Sequence, residues 1–220
     1  MLERPDLELL TSGARQLGIT LDDLQLHRFS IFTRLLLEWN RQFNLTRITT
    51  PREMVIKHYL DSLSCLTVAE FPLDAKVIDV GTGAGFPGIP IEIVRPDLNL
   101  TLLDSTRKRL FFLEAALLEL GLSGVSLLHG RAEEAGHDPL RREFHDIAVS
   151  RAVARLNILA EYCLPLVRYN GIAILQKGPG VDEELEEAKP AIELLGGEIE
   201  KTARITLPES DIVRSIIVIR

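Results

Sequence analysis

Asp79 stands in the apolar run Val77-Ile78-Asp79-Val80, and Gly81, Gly83, Gly85 and Gly88 follow at once. A carboxylate within a short β-branched run, then glycine at alternate positions, is the pattern of a buried strand breaking into a tight turn. Glycine admits such a turn and lets the backbone approach a ligand where a Cβ would stand in the way. The apolar stretch beyond Gly88 opens a helix whose free N–H groups and positive dipole end are expected to face the same space. The chemistry this suits is the holding of a nucleotide-like cofactor. A second carboxylate, Asp104, comes nineteen residues after Gly85, closing Leu100-Thr101-Leu102-Leu103. At the tip of a neighbouring strand it can accept both hydroxyls of a ribose.

Two frames fit the loop. Gly83-Ala84-Gly85-Phe86-Pro87-Gly88 satisfies the dinucleotide pattern G-x-G-x-x-G, which is weak alone. Asp79-x-Gly81-x-Gly83-x-Gly85 resembles the first motif of class I S-adenosylmethionine (SAM) methyltransferases, where the loop passes the methionine portion of the cofactor. Asp104 serves either. Position favours SAM, because dinucleotide folds usually begin at their glycine strand and here 75 residues precede it. A nicotinamide-dependent reductase and a glycine turn without a ligand are the competing readings.

The elements that must position these residues alternate along the chain. Residues 22–43 carry Leu24, Ile31, Phe32, Leu35, Leu36, Trp39 and Phe43 as a helical stripe. Thr50-Pro51-Arg52-Glu53 reads as a capping box opening a helix to about Ser64. Strand 76–80, helix 88–94, strand 100–104, helix 106–120 closed by Gly121, and strands 125–129 and 146–150 follow. Helix 155–168, a turn at Tyr169-Asn170-Gly171, strand 172–176, helix 181–195 and strands near 198–206 and 212–219 complete the pattern. The last two strands have no helix between them, which implies an antiparallel end to a mostly parallel seven-stranded sheet. The expected architecture is a Rossmann-like α/β domain over residues 71–220 with a helical cap from residues 1–70.

Composition agrees with a soluble cytoplasmic protein. Apolar residues make up 46% of the 220, no run reaches membrane-spanning length, and the N-terminus lacks the basic start and apolar middle of a signal peptide. Cys65 and Cys163 lie far apart in apolar surroundings and read as reduced core thiols, without metal-ligand spacing. Net charge is −7, yet unevenly placed. Asp182, Glu183, Glu184, Glu186 and Glu187 form an acidic run, whereas Arg41, Arg47, Arg52 and Lys57 against Glu53 give a local balance of +3. Arg107, Lys108 and Arg109 add a second basic cluster just after Asp104. Such clusters beside a cofactor can steer a nucleic acid even on an acidic protein; ordinary solvated charge is the alternative.

Several further motifs occur together: Trp39-Asn40-x-x-Phe43-Asn44-Leu45-Thr46, His58-x-Leu60-Asp61-Ser62-Leu63, the whole Gly81-to-Pro90 loop, Arg131-Ala132-Glu133-Glu134, Ser150-Arg151-Ala152-Val153-Ala154 and Gln176-Lys177-Gly178. In this order and spacing they resemble the bacterial RsmG (glucose-inhibited division protein B) family of 16S rRNA guanine-N7 methyltransferases, over about residues 20–220. The resemblance implies a SAM cofactor, a guanine in the 530-loop region of the small-subunit rRNA as acceptor, and a small ribosomal subunit or its precursor as partner to a monomeric enzyme. It carries Gly81 and Phe86 as contacts at the methionine end, Ala132 and Glu133 at the adenine edge, and Arg151 beside the cofactor; Gly83 and Gly85 are expected with them and Asp104 at the ribose. A core aromatic at Phe86, a surface carboxylate at Glu133 and a structural salt bridge at Arg151 are the alternatives. Arg151, Asn44 and His58 are the candidates for orienting the guanine. Arg41, Arg47, Lys57, Arg107, Lys108, Arg109 and Lys177 are the candidates for RNA phosphates.

The chemistry needs little more. Methyl transfer from SAM is an in-line displacement in which the protein mainly aligns nucleophile and methyl group. Guanine N7 offers a free lone pair and requires no general base. The Asn/Asp-Pro-Pro-aromatic loop of amino-group methylases is replaced here by Ser150-Arg151-Ala152-Val153, and neither cysteine sits on a loop as a nucleophile would. A non-catalytic SAM-fold module that docks on RNA is the remaining alternative. It has less reason to keep the glycine loop, Asp104 and Arg151.

Overall fold

The computed structural model describes residues 1–151 and 154–220. Seven strands form one sheet: β1 (Lys76–Val80), β2 (Asn99–Asp104), β3 (Val125–His129), β4 (His145–Arg151), β5 (Val167–Lys177), β6 (Ile199–Thr206) and β7 (Val213–Ile219). Their order is β3-β2-β1-β4-β5-β7-β6, and β7 runs antiparallel to both β5 and β6. The order reverses between β1 and β4. At such a switch point the crossovers diverge and leave a crevice beyond the carboxyl ends of the strands.

The central strands are apolar on both sides because helices cover both faces, whereas the edge strand β6 alternates with exposed polar residues. Val77 of β1, Leu100 and Leu102 of β2, Val149 of β4 and Val218 of β7 join one core. The alternate residues Ile78, Val80, Leu103, Ala148 and Ile217 join the other. The first face carries α1 (Arg4–Gln16), α2 (Asp23–Phe43), α5 (Gly88–Val94) and α6 (Arg107–Leu120); the second carries α7 (Ala132–His137), α8 (Leu156–Cys163) and α9 (Asp182–Leu194). Aromatic rings tie the first 70 residues to the sheet. Phe29 packs on Tyr59 at 4.9 Å between centroids, and Phe32 on Phe86 at 5.5 Å and Phe112 at 6.1 Å. Burying each such ring contributes about 1.5–3 kcal/mol.

Five local expectations need correction. Thr50 does not cap a backbone N–H; its hydroxyl donates to the Glu53 carboxylate, while α2 has the reciprocal box through Asp22 and Gln25. The helical run it opens continues past Ser64, but as short α pieces (α3, Pro51–Met54; α4, Asp61–Leu63) around a π stretch at Val55–Leu60, and it ends in a 3₁₀ turn at Ser64–Thr67. The helix expected to reach residue 168 stops at Cys163, and Tyr169-Asn170-Gly171 lies inside β5, where the register with β4 slips and Asn170 takes φ 62°. Leu24, assigned to the buried stripe of α2, points to solvent.

Candidate active site

The crevice opens over β1 and β2 as a cavity of about 450 Å³, lined by Val80, Gly81, Gly83, Leu103, Asp104, Ser105, Arg109, Gly130, Arg131, Ala132, Glu133, Arg151 and Tyr162. One wall is main chain. Gly81 and Gly83 have φ of 71° and 60°, a conformation side chains rarely adopt, and a Cβ on Gly83 would point into open space rather than protein. Asp104, only 2% exposed, closes β2. Its oxygens accept from Gly83 N at 2.9 Å, Thr106 N at 2.8 Å and the Arg109 guanidinium at 3.1 Å. Ala132 and Glu133 open α7 on the far side. There Tyr162 faces Glu133, and desolvation together with that carboxylate pushes the phenol upward.

Two loop residues play other parts. Gly85 is buried, and a Cβ there would meet Ile89 at 2.7 Å and Leu113 at 3.0 Å, so its glycine serves packing. Phe86 does not line the cavity; its ring lies in the core against Phe32 and stacks on His58 at 4.2 Å and 12°. The N-terminus of α5 is not presented to the ligand space either. Asp79 Oδ2 accepts from Gly88 N at 2.8 Å and from Thr82 Oγ1 at 2.7 Å, covering it from beneath.

The other wall is built from side chains. Arg151, at the end of β4, donates to the Lys57 carbonyl at 3.2 Å, to Asp61 Oδ2 at 3.3 Å and to His58 Nδ1 at 3.2 Å, and its guanidinium lies 5.0 Å from the Phe86 centroid. Because guanidinium only donates, His58 Nδ1 is the acceptor and Nε2 carries the proton, bonded to Thr46 Oγ1 at 2.9 Å. Burial, then the Arg151 charge, pushes His58 down to about 3, so it is neutral at physiological pH. Asp61 is shared between Arg151 and Arg214, whose Nε lies 3.1 Å from Oδ1; burial pushes the carboxyl up against the pull of both cations. Gln176 donates to the Asp61 carbonyl at 2.7 Å and to Ser64 Oγ at 3.1 Å, fastening α4 to β5.

Of the acceptor-side candidates, Arg151 and His58 come together and Asn44 does not. Asn44 is exposed at the left-handed C-cap of α2 (φ 50°), while Asn40, four residues earlier, clamps Thr46 through both main-chain groups. Among the cationic candidates, Arg41, Arg47, Arg107 and Lys108 are exposed. Lys57 is paired with Glu53 at 2.6 Å and Arg109 with Asp104. Lys177 is turned inward, bonded to the Ala154 carbonyl at 2.7 Å and to Glu184 at 2.7 Å. Glu184 also accepts from Leu156 N, and Glu187 from Arg155, so the acidic run on α9 holds the segment after β4. Ala152 and Val153 of that motif lie outside the described residues.

Asp61, Arg214, Thr46, Arg131 and Tyr162 were not among the candidates. Asp61 stood in a quoted motif without a role; Arg214, on a terminal strand, gave no signal at all. Both cysteines are buried free thiols, no helix is long and apolar enough to cross a membrane, and no metal-binding cluster occurs, among the described residues.

This architecture has known counterparts. Precorrin-6y C5,15-methyltransferase from Geobacter metallireducens superposes with a TM-score of 0.55 at 16% identity, over 72% of this chain and 86% of that one. Fibrillarin, the pre-rRNA processing protein of Methanococcus jannaschii, gives 0.54 at 17%, over 69% and 68%. These share the fold. Closer relatives appear in sequence. The ribosomal RNA small subunit methyltransferase G of Alkaliphilus metalliredigens is 49% identical over 211 residues, 96% of this chain and 88% of that protein. Its namesake in Thermoanaerobacter sp. strain X514 is 48% identical over 219 residues, all of this chain and 91% of the other. The family described as rRNA small subunit methyltransferase G matches residues 25–213, a span that contains both walls of the cavity apart from Arg214, and the chain belongs to that family.

Proposed function

We propose that this protein transfers a methyl group from SAM to N7 of a guanine in small-subunit (16S) ribosomal RNA. Family membership supports the rRNA substrate, and an rRNA substrate supports a cytoplasmic reaction. The cavity fits the cofactor by its donor set: carboxylates at Asp104 and Glu133 suit ribose hydroxyls and an adenine edge, and the bare backbone at Gly81 and Gly83 leaves room for the methionine end. Bound there, SAM supplies an electrophilic methyl group on a sulfonium. Asp104 would exchange part of its bonding with Arg109 for ribose hydroxyls, and Arg151, which lines the cavity and reaches the His58 cluster, would present its free guanidinium edge to guanine O6.

One observation carries the N7 assignment. His58 is neutral, its Nδ1 is covered by Arg151 and its Nε2 proton faces Thr46, so the only imidazole in this cluster is not free to take a proton. A cluster whose imidazole is tied up in this way suits a nucleophile that brings its own lone pair. The test is an rRNA substrate carrying 7-deazaguanine at the target: it should bind as the natural RNA does and accept no methyl group. Label on that RNA would move the acceptor to another atom.

A further inference from the structure

Helix α6 turns an aromatic ring to water. Phe111 is 60% exposed, whereas Phe112 beside it is buried against Phe32 and Trp39. The outward face of a sheet-covering helix ordinarily carries polar residues. Here Phe111 lies with Arg107 one turn before it, Leu127 and His129 of the edge strand β3, Leu110 and Glu114 around a shallow hollow of about 430 Å³. The same helix begins Arg107-Lys108-Arg109 with no acidic residue in its first turn, three cations at the positive end of its dipole. Of the three only Arg109 is ion-paired, among the described residues. Leu118 on the same helix is exposed as well, so exposure alone marks nothing; the ring is set apart by the two cations without an ion-pair partner, among the described residues, that stand beside it. The hollow also adjoins the cofactor cavity: His129 Nε2 lies 3.2 Å from the carbonyl of Ser105, and Ser105 lines that cavity.

We propose that Phe111 is a stacking platform for an unpaired base of the RNA strand flanking the target guanine, with Arg107 and Lys108 on the adjoining phosphates. This rests on the reading of the substrate as RNA. A phenyl face has nothing to donate or accept, so its occupant must bring a flat apolar surface; the cations beside it call for an anion. Single-stranded RNA supplies both at the spacing of one nucleotide, and stacking on an aromatic side chain tolerates any base. Glu114, one turn beyond the ring, repels phosphate from the far end and leaves the RNA backbone to the Arg107 side. An acidic peptide is the other occupant such a surface could take.

Fluorescence anisotropy with a labelled mixed-sequence single-stranded RNA, on the whole protein, tests the platform. Phe111→Ala should weaken RNA binding by about 5- to 150-fold, the equivalent of one stacked base. Phe111→Trp should retain it, and Phe111→Leu should behave like the alanine variant, because leucine keeps apolar bulk and loses the π face. SAM affinity by calorimetry and the melting temperature should stay at wild-type values, since the ring is exposed. In methyl transfer to small ribosomal subunits, KM should rise with kcat held. Wild-type RNA affinity in Phe111→Ala, or full affinity in Phe111→Leu, overturns the proposal. So does binding of a glutamate-rich peptide that depends on Phe111 when RNA binding does not. A wild-type protein that methylates no ribosomal RNA would overturn the proposed function instead; the platform is decided by the oligonucleotide alone.

Discussion

Around Gly81 and Gly83 the surface offered to a ligand is main chain; around Arg151 it is side chain. The cofactor wall is assembled from a turn of a few residues and one carboxylate 21 positions downstream, and it is open. The facing wall, the proposed acceptor wall, draws on Thr46, His58, Asp61, Arg151, Gln176 and Arg214, with Asp61 and Arg214 separated by 153 positions, and its charges are paired before any substrate arrives. Main chain can wait for a ligand at little cost, because strand and helix already satisfy most of its polar groups. Buried charges cannot wait, because each one without a partner destabilises the fold. The two walls should therefore fail differently: the first by losing ligand, the second by losing structure and function together.

The largest effect is expected at Asp61. Asp61→Ala leaves Arg151, largely buried, and Arg214, partly exposed, without their shared carboxylate, and should cost about 3–5 kcal/mol in denaturant unfolding along with methyl transfer. A loss under about 1 kcal/mol would mean that the acceptor wall is not held by this network. Asp104→Ala is the matching change on the other wall. It should weaken SAM binding by about 1–3 kcal/mol by calorimetry, with less effect on unfolding than Asp61→Ala. Equal destabilisation by both would erase the distinction between the walls.

The same contrast explains what could be read beforehand. The glycine loop, Asp104, the order of strands and helices and the antiparallel end were legible because each depends on neighbours in sequence: β-branched runs, turn residues, a helix closed by Gly121. Gly85 and Phe86 were misjudged because glycine and aromatic residues in a loop look alike whether they face ligand or core, and Ile89 and His58 decide the matter. Lys177 looked like a free cation because its partner Glu184 arrives from another element. Arg214 had no local signal, since only the pairing of β7 with β5 brings it over α4. The break in the helix after Thr50 was hidden too, as π geometry has no strong local pattern and is stabilised by packing.

Asp79 sharpens the comparison from the cofactor side, because it is a buried carboxylate without a cation bonded to it. Its Oδ2 has two donors, its Oδ1 has no partner, and burial pushes the carboxyl up to about 7. A folded-state value above that of the unfolded chain means that its contribution to stability is complete below about pH 4 and is lost as pH rises through 7. Asp79→Asn, which cannot ionise, should therefore gain in melting temperature relative to the wild type between pH 5 and pH 8. A difference that does not move with pH would show that the loop tolerates the charged form and that both walls handle buried charge alike.

The smallest effects belong to the exposed cations, and here internal and external charge can be set against each other directly. Arg107 and Lys108 are exposed next to Arg109, which lines the cavity, whereas Lys177, of the same formal charge, is bonded to Glu184 and to the segment following Arg151. If the exposed cations neutralise RNA phosphates, each of Arg107→Ala and Lys108→Ala removes one set of released counterions. Each should lower the slope of log affinity against log salt by about 0.7–0.9, leaving SAM binding intact. Lys177→Ala should do the reverse. Its charge is already neutralised within the protein, so the salt slope should hold while kcat falls, because the segment behind Arg151 loses its tether. RNA binding at several salt concentrations separates the two classes. A salt slope lowered by Lys177→Ala and unchanged in both exposed-cation variants would reverse the assignment, making the interior lysine the phosphate contact and the exposed pair an ordinary solvated surface.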